Sequence, residues 1–202
     1  MVRKADIRIS AVVLAGLSAT GLGGCQFLTT ASREPAPKVV AAPTPREKDC
    51  LARAMYFEAN RSSDDGLLAV GTVVMNRLDS PNYPDSICGI VGQPKQFAEG
   101  VLTKPMKEGE KERVEKVATA LLAGKRHPEV KGALHFHIAA RTYRYPNMRY
   151  VAATGGNRFY EKTDRAGNRP PIFPRAVVKM KEGLVPIQLA FAEMAPEADE
   201  AQ

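Results

Sequence analysis

The sequence predicts an α+β domain in which a group of helices comes first and a small antiparallel sheet follows in the C-terminal half. Three observations carry that prediction. Apolar residues recur at helical spacing between residues 50 and 123, they alternate with polar ones after Gly132, and Thr154-Gly-Gly-Asn157 separates two short runs as a hairpin turn would. Helices grouped before strands, rather than interleaved with them, point to α+β.

The chain opens on Met1-Val-Arg-Lys4, followed by an uncharged apolar stretch from Ile9 to Leu22 and then Gly23-Gly-Cys25. The stretch falls short of the ~20 residues of a membrane span. Residues 1–24 therefore read as an export signal, and Leu22-Gly-Gly-Cys25 resembles a bacterial lipobox, which makes Cys25 the expected lipid attachment site. Gln26 follows, and by analogy with enterobacterial sorting this favours the outer membrane over the inner. Residues 25–46 are dense in Pro, Ala, Thr and Ser and read as a flexible linker. The folded part is expected over 47–165. Residues 166–202 follow as a Pro-rich basic segment and an acidic tail, with Leu184 to Met194 as a candidate short helix.

Cysteine usage fits export. With Cys25 set aside, Cys50 and Cys88 remain, and an exported protein can hold such a pair as a disulfide; two separate buried thiols are the alternative. No CxxC spacing is present, so zinc is not expected. The formal net charge of +7 suits an anionic wall polymer or lipid as well as simple solubility. The basic residues are scattered and match no nucleic-acid motif, so nucleic acid is not an expected partner.

The first helix is expected over residues 50–60. Leu51, Ala54 and Met55 share one face, and Glu58 occupies the next place on that stripe. An acid held against apolar surface has a raised pKa, which is what a general acid at neutral pH requires. The plainer alternative is a helix end that reaches water. Ser62-Ser-Asp-Asp65 supplies caps for a second helix, in which Leu67, Val70, Gly71, Val74 and Leu78 form an apolar stripe ending near Arg77. A third short helix is expected over residues 85–91, a loop over 93–97, and a longer helix from Glu108 to Ala123 stopped by Gly124. Leu134, Phe136 and Ile138 then alternate with Ala133, His135 and His137, a strand with both histidines on one face. A metal is a possible reading of that pair, but His127 lies in a separate Arg-His-Pro turn and no third ligand is evident. No cofactor is expected.

The ordered segments Leu51-Ala-Arg-Ala-Met-Tyr-Phe-Glu-Ala59, Gly66-Leu-Leu-Ala-Val70, Val73-Val-Met-Asn-Arg77, Tyr83-Pro-Asp-Ser-Ile-Cys-Gly-Ile-Val91, Gln96-Phe97, Gly132-Ala-Leu-His-Phe-His137 and Gly156-Asn-Arg-Phe-Tyr160 resemble the SleB-type cell-wall hydrolases. The resemblance spans roughly Cys50 to Glu161 and implies a lysozyme-like fold, cleavage of peptidoglycan glycan strands, and Glu58 as the catalytic acid. The family's usual Glu-Ala-Arg-Gly-Glu is replaced here by Glu58-Ala-Asn-Arg-Ser62, so the second motif carboxylate is missing. A single acid suits a lytic transglycosylase; a hydrolase would need a second, for which Asp64, Asp65, Asp85 and Glu99 are the nearby choices. Tyr56, Gln96, Phe97, His135, His137, Tyr143 and Tyr145 are the expected substrate contacts. A wall-binding lipoprotein without activity, or a metal-dependent amidase using His135 and His137, are the alternatives. The expected partners are peptidoglycan strands and, through a lipid on Cys25, a membrane; no protein activator is indicated.

Overall fold

The computed structural model describes residues 35–59, 63–180 and 183–194. The expected signal segment, Cys25, the linker up to residue 34, Ser62 and the tail from Ala195 lie outside the described residues.

Helix α1 (Pro45–Glu58) starts earlier than the apolar pattern suggested. Thr44 caps it by accepting from the Glu47 N–H at 3.2 Å, and Pro45 fills a first-turn position where a missing N–H costs nothing. Cys50, Leu51, Ala52, Ala54, Met55 and Tyr56 are all buried, so α1 is covered on most sides rather than along one stripe. It packs against α2 (Asp64–Asp79), α3 (Ile87–Val91) and α4 (Glu108–Leu122). Ser63 and Ser86 cap α2 and α3 in the same manner as Thr44. Cys50 of α1 and Cys88 of α3 are joined by a disulfide, and the Cys88 N–H also donates to Glu47 Oε2 at 3.1 Å. At the end of α4, Gly124 adopts φ +100°, a left-handed stop that glycine takes without strain.

A three-stranded antiparallel sheet follows in the order β2 (His135–Ile138), β4 (Asn157–Lys162), β3 (Met148–Thr154). Gly155 and Gly156 both have positive φ, as a two-residue type I′ hairpin turn demands. The register sets His135 opposite Tyr160 and Phe136 opposite Phe159. Phe159 is fully buried.

A second small sheet corrects the expected division of the chain. β1 (Val39–Val40), inside the supposed linker, pairs in parallel with β5 (Val177–Met180), which pairs with β6 (Gly183–Pro186). Lys38 Nζ donates to the carbonyls of Ser80, Tyr83 and Pro84 at 3.1, 2.6 and 2.9 Å. Asp79 Oδ1 accepts from the Ala176 N–H at 2.7 Å, tying β5 to the end of α2. A two-residue strand has no periodicity to read, so only its distant partner defines it. The expected C-terminal helix is α5 (Ile187–Met194), shortened because residues 184–186 belong to β6.

Candidate active site

A cleft of ≈460 Å³ lies between the end of α1, the loop at residues 95–96, and strands β2 and β4. Glu58, the last residue of α1, lines it. Two contacts fix Glu58. Its carbonyl, one of the unpaired acceptors at a helix end, accepts from Asn157 Nδ2 at 2.7 Å, and its Oε1 accepts from the Ala98 N–H at 2.6 Å. Burial pushes the carboxyl pKa up, and this outweighs the opposing pull of the Ala98 N–H and of Arg77.

Arg77 comes from the last turn of α2 and is 3% exposed. Its Nε donates to the Leu134 carbonyl at 2.9 Å, and its guanidinium carbon lies 5.4 Å from the Phe97 ring centre and 5.2 Å from that of Tyr83. Its Nη1 is buried and has no hydrogen-bond partner. Asn76 donates through Nδ2 to the carbonyls of Lys131 and Ala133 at 2.7 and 3.0 Å. Asn76 and Arg77 thus clamp the backbone that leads into β2, and this sets where His135 and His137 stand.

Both histidines line the cleft. His135 stacks on Tyr160 with ring centres 5.3 Å apart. Its pKa falls to about 4, chiefly through burial and further through Lys162 and Arg77, so it is neutral at neutral pH. His137 Nδ1 lies 2.9 Å from the Ile138 carbonyl, which can only accept, so Nδ1 carries the proton. Its Nε2, at 2.9 Å, then accepts from the Tyr150 hydroxyl. Both ring nitrogens of His137 are engaged, and the described residues contain no group of three metal-ligating side chains.

The other expected contacts divide. Gln96 lines the cleft. Tyr143 and Tyr145 stack on each other with centres 6.0 Å apart, beside a recess of ≈340 Å³ that shares His137, Tyr160 and Lys162 with the cleft. Tyr56 is a correction: it is 4% exposed, and its hydroxyl accepts from the Lys107 N–H at 3.2 Å away from the cleft lining. Phe97 is another, because it packs beneath Arg77 and beside Phe136 and faces a different recess. The four nearby acids stand elsewhere. Asp64 binds Arg113, Asp65 binds His127 and Thr154, Asp85 binds Lys38, and Glu99 lines the recess over residues 91–103. Among the described residues Glu58 is the one carboxylate lining the cleft.

Sequence reasoning missed Asn157, Tyr160, Lys95 and Lys162, and treated Arg77 as a helix terminus. Arg77 did leave a signal, because it follows Val70 and Val74 on the apolar face of α2, where a guanidinium is out of place.

Residues 61–160, a span opening just after Glu58, match the family described as Cell Wall Hydrolase. The spore cortex-lytic enzyme of Halalkalibacterium halodurans is 36% identical over 67 residues, which cover 33% of this chain and 20% of that protein. That of Bacillus subtilis is 40% identical over 47 residues, covering 23% and 15%. The chain thus spans a fifth or less of the curated relatives it matches. The solved catalytic domain of the Bacillus cereus SleB protein superposes with a TM-score of 0.50 at 20% identity, over 61% of this chain and 95% of that one, which shows a shared fold. The matched span, just under half of the chain, is thus similar to the cell wall hydrolase family, and the fold is one shared with the SleB catalytic domain.

Proposed function

We propose that this domain cleaves the bond between MurNAc and GlcNAc in peptidoglycan as a lytic transglycosylase, with Glu58 as its single acid and base. The carrying observation is that a half-buried Glu58, held at Oε1 by Ala98, is the one carboxylate on the cleft among the described residues. With Oε1 accepting from Ala98, Oε2 is left to carry the proton. That proton passes to the glycosidic oxygen as its bond to C1 of MurNAc breaks and positive charge builds on the sugar. The resulting carboxylate is stabilised by the Ala98 N–H and by Arg77, which burial alone would not achieve. It then takes the proton of the MurNAc 6-hydroxyl as that oxygen bonds to C1. The product carries a 1,6-anhydro ring, Glu58 is protonated again, and no second carboxylate is used. Gln96 supplies amide hydrogen bonds to the sugar, and the Tyr143–Tyr145 pair offers ring faces beyond His137. A lipid on Cys25 would hold the domain at the envelope, facing the periplasm, most simply from the outer membrane.

Digestion of purified sacculi followed by mass spectrometry tests the reading. Wild-type protein is expected to release muropeptides one water lighter than reducing-end products, and Glu58→Gln to slow release by ~10²–10⁴-fold. Reducing ends would replace transglycosylation by hydrolysis, and equal release by both proteins would remove Glu58 from the chemistry. Loss of labelled palmitate on Cys25→Ala checks the anchor.

A further inference from the structure

We propose that Arg77, Lys95 and Lys162 form an anion subsite within the cleft that takes a carboxylate carried by the muramyl residue. This rests on the glycan-cleaving reading above and names the substrate feature that the same cleft selects.

Three cations line the cleft with one carboxylate among the described residues. Glu58 is uncharged while it holds its proton, and His135 and His137 add no negative charge. The lining is therefore cationic just when substrate must enter. Arg77 supplies the buried member, since it is 3% exposed and its Nη1 has no partner. A buried N–H without an acceptor costs roughly 1–3 kcal/mol, so a ligand oxygen that reaches it recovers that loss. Lys95 holds φ +60°, a left-handed conformation uncommon for a residue with a Cβ, and it brings an exposed ammonium to the rim beside Gln96. Lys162, at the end of β4, is exposed on the same lining. A sugar acetamide would satisfy the Arg77 hydrogen bond but leave three positive charges unanswered, whereas a carboxylate answers both.

Peptidoglycan offers such a carboxylate from two sources. One is the lactyl group of a muramyl residue stripped of its peptide, and the other is the stem peptide itself. Equilibrium binding to full-length mature Glu58→Gln protein reads the subsite without turnover. Three soluble strands serve as probes: peptide-bearing, amidase-stripped with free lactyl carboxylates, and peptide-bearing with all carboxylates converted to neutral amides. One of the two charged strands is expected to bind ~10-fold or more tightly than the neutral strand, and which one does so identifies the source. The preference shrinks as salt rises. Adding Lys95→Asn and Lys162→Gln, with Asn chosen because it tolerates left-handed φ, brings the ratio toward one. Equal binding of charged and neutral strands, or a preference that survives in the triple variant, overturns the subsite. Neither result touches the Glu58 assignment, which stands or falls on anhydro ends released by wild-type protein.

Discussion

Asn157 Nδ2 donates to the main-chain carbonyl of Glu58 at 2.7 Å, joining the first residue of β4 to the last residue of α1 across 99 positions of sequence. The small sheet and the helical group meet at this bond, and the cleft opens beside it. Asn157→Ala should leave a helix-end acceptor unpaired and lower stability by about 1–3 kcal/mol, measurable by urea unfolding. Muropeptide release at low temperature, where the variant remains folded, should fall as well, because the backbone that carries the carboxyl loses its anchor. An unchanged rate would mean that Ala98 alone positions Glu58.

The raised pKa of Glu58 sets two pH effects. With Glu58 as the proposed general acid, the rate should decline on the alkaline side through a pKa above the ordinary glutamate value. Stability follows the same sign. A carboxyl whose folded pKa is raised gives its full contribution below the unfolded pKa and loses it as pH rises through the folded one. The melting temperature of Glu58→Gln should therefore gain on that of wild type as pH rises from the ordinary glutamate range through the raised pKa of the folded protein. Asp79, whose pKa burial also raises, is common to both proteins and cancels in the difference.

The Cys50–Cys88 bridge closes a separation of 38 residues, for which loss of chain entropy in the unfolded state predicts roughly 4 kcal/mol. A Cys50→Ala/Cys88→Ala protein should melt well below wild type in calorimetry. Reductant should lower the wild-type transition and leave the variant's alone. The Cys88 N–H would still bond Glu47, so α3 should stay docked and the loss should appear in stability rather than in the fold.

Gly71 sits where α2 meets α1 and α4. A Cβ there would collide with Leu121 Cδ1 and stand 2.7 Å from Met55 Sδ, and both neighbours are fully buried. Helix propensity favours Ala over Gly by about 1 kcal/mol, whereas overpacking a tight core costs about 1–3 kcal/mol. Packing should win, so Gly71→Ala should lower the urea midpoint rather than raise it.

The helices and the hairpin were legible because each repeats its own period: the stripe from Leu67 to Leu78, the alternation through His135 and His137, and the paired glycines after Thr154. Glu58 was legible as an acid out of pattern. Asn157 was not, because its partner is a main-chain carbonyl that any residue at position 58 would present. β1 was not, because two valines in a Pro-rich stretch carry no period, and Val177 and Val178 alone give them a sheet. Tyr56 was misread for the opposite reason. Its motif neighbours Phe57 and Glu58 do face the cleft, but a helix turns Tyr56 by about 100° per residue away from Phe57, into the core.

The seating of Lys38 and β1 has a mechanical consequence. A pull on the chain ahead of Lys38 meets three carbonyls on the segment after α2, and then the β1–β5 ladder, before it reaches the cap of α1. Tension is passed into α2 and the C-terminal sheet instead of along α1 to Glu58. With these anchors between the pulled end and α1, a domain drawn along a wall polymer by its N-terminal end would keep Glu58, the proposed acid, and its cleft in register while it moves.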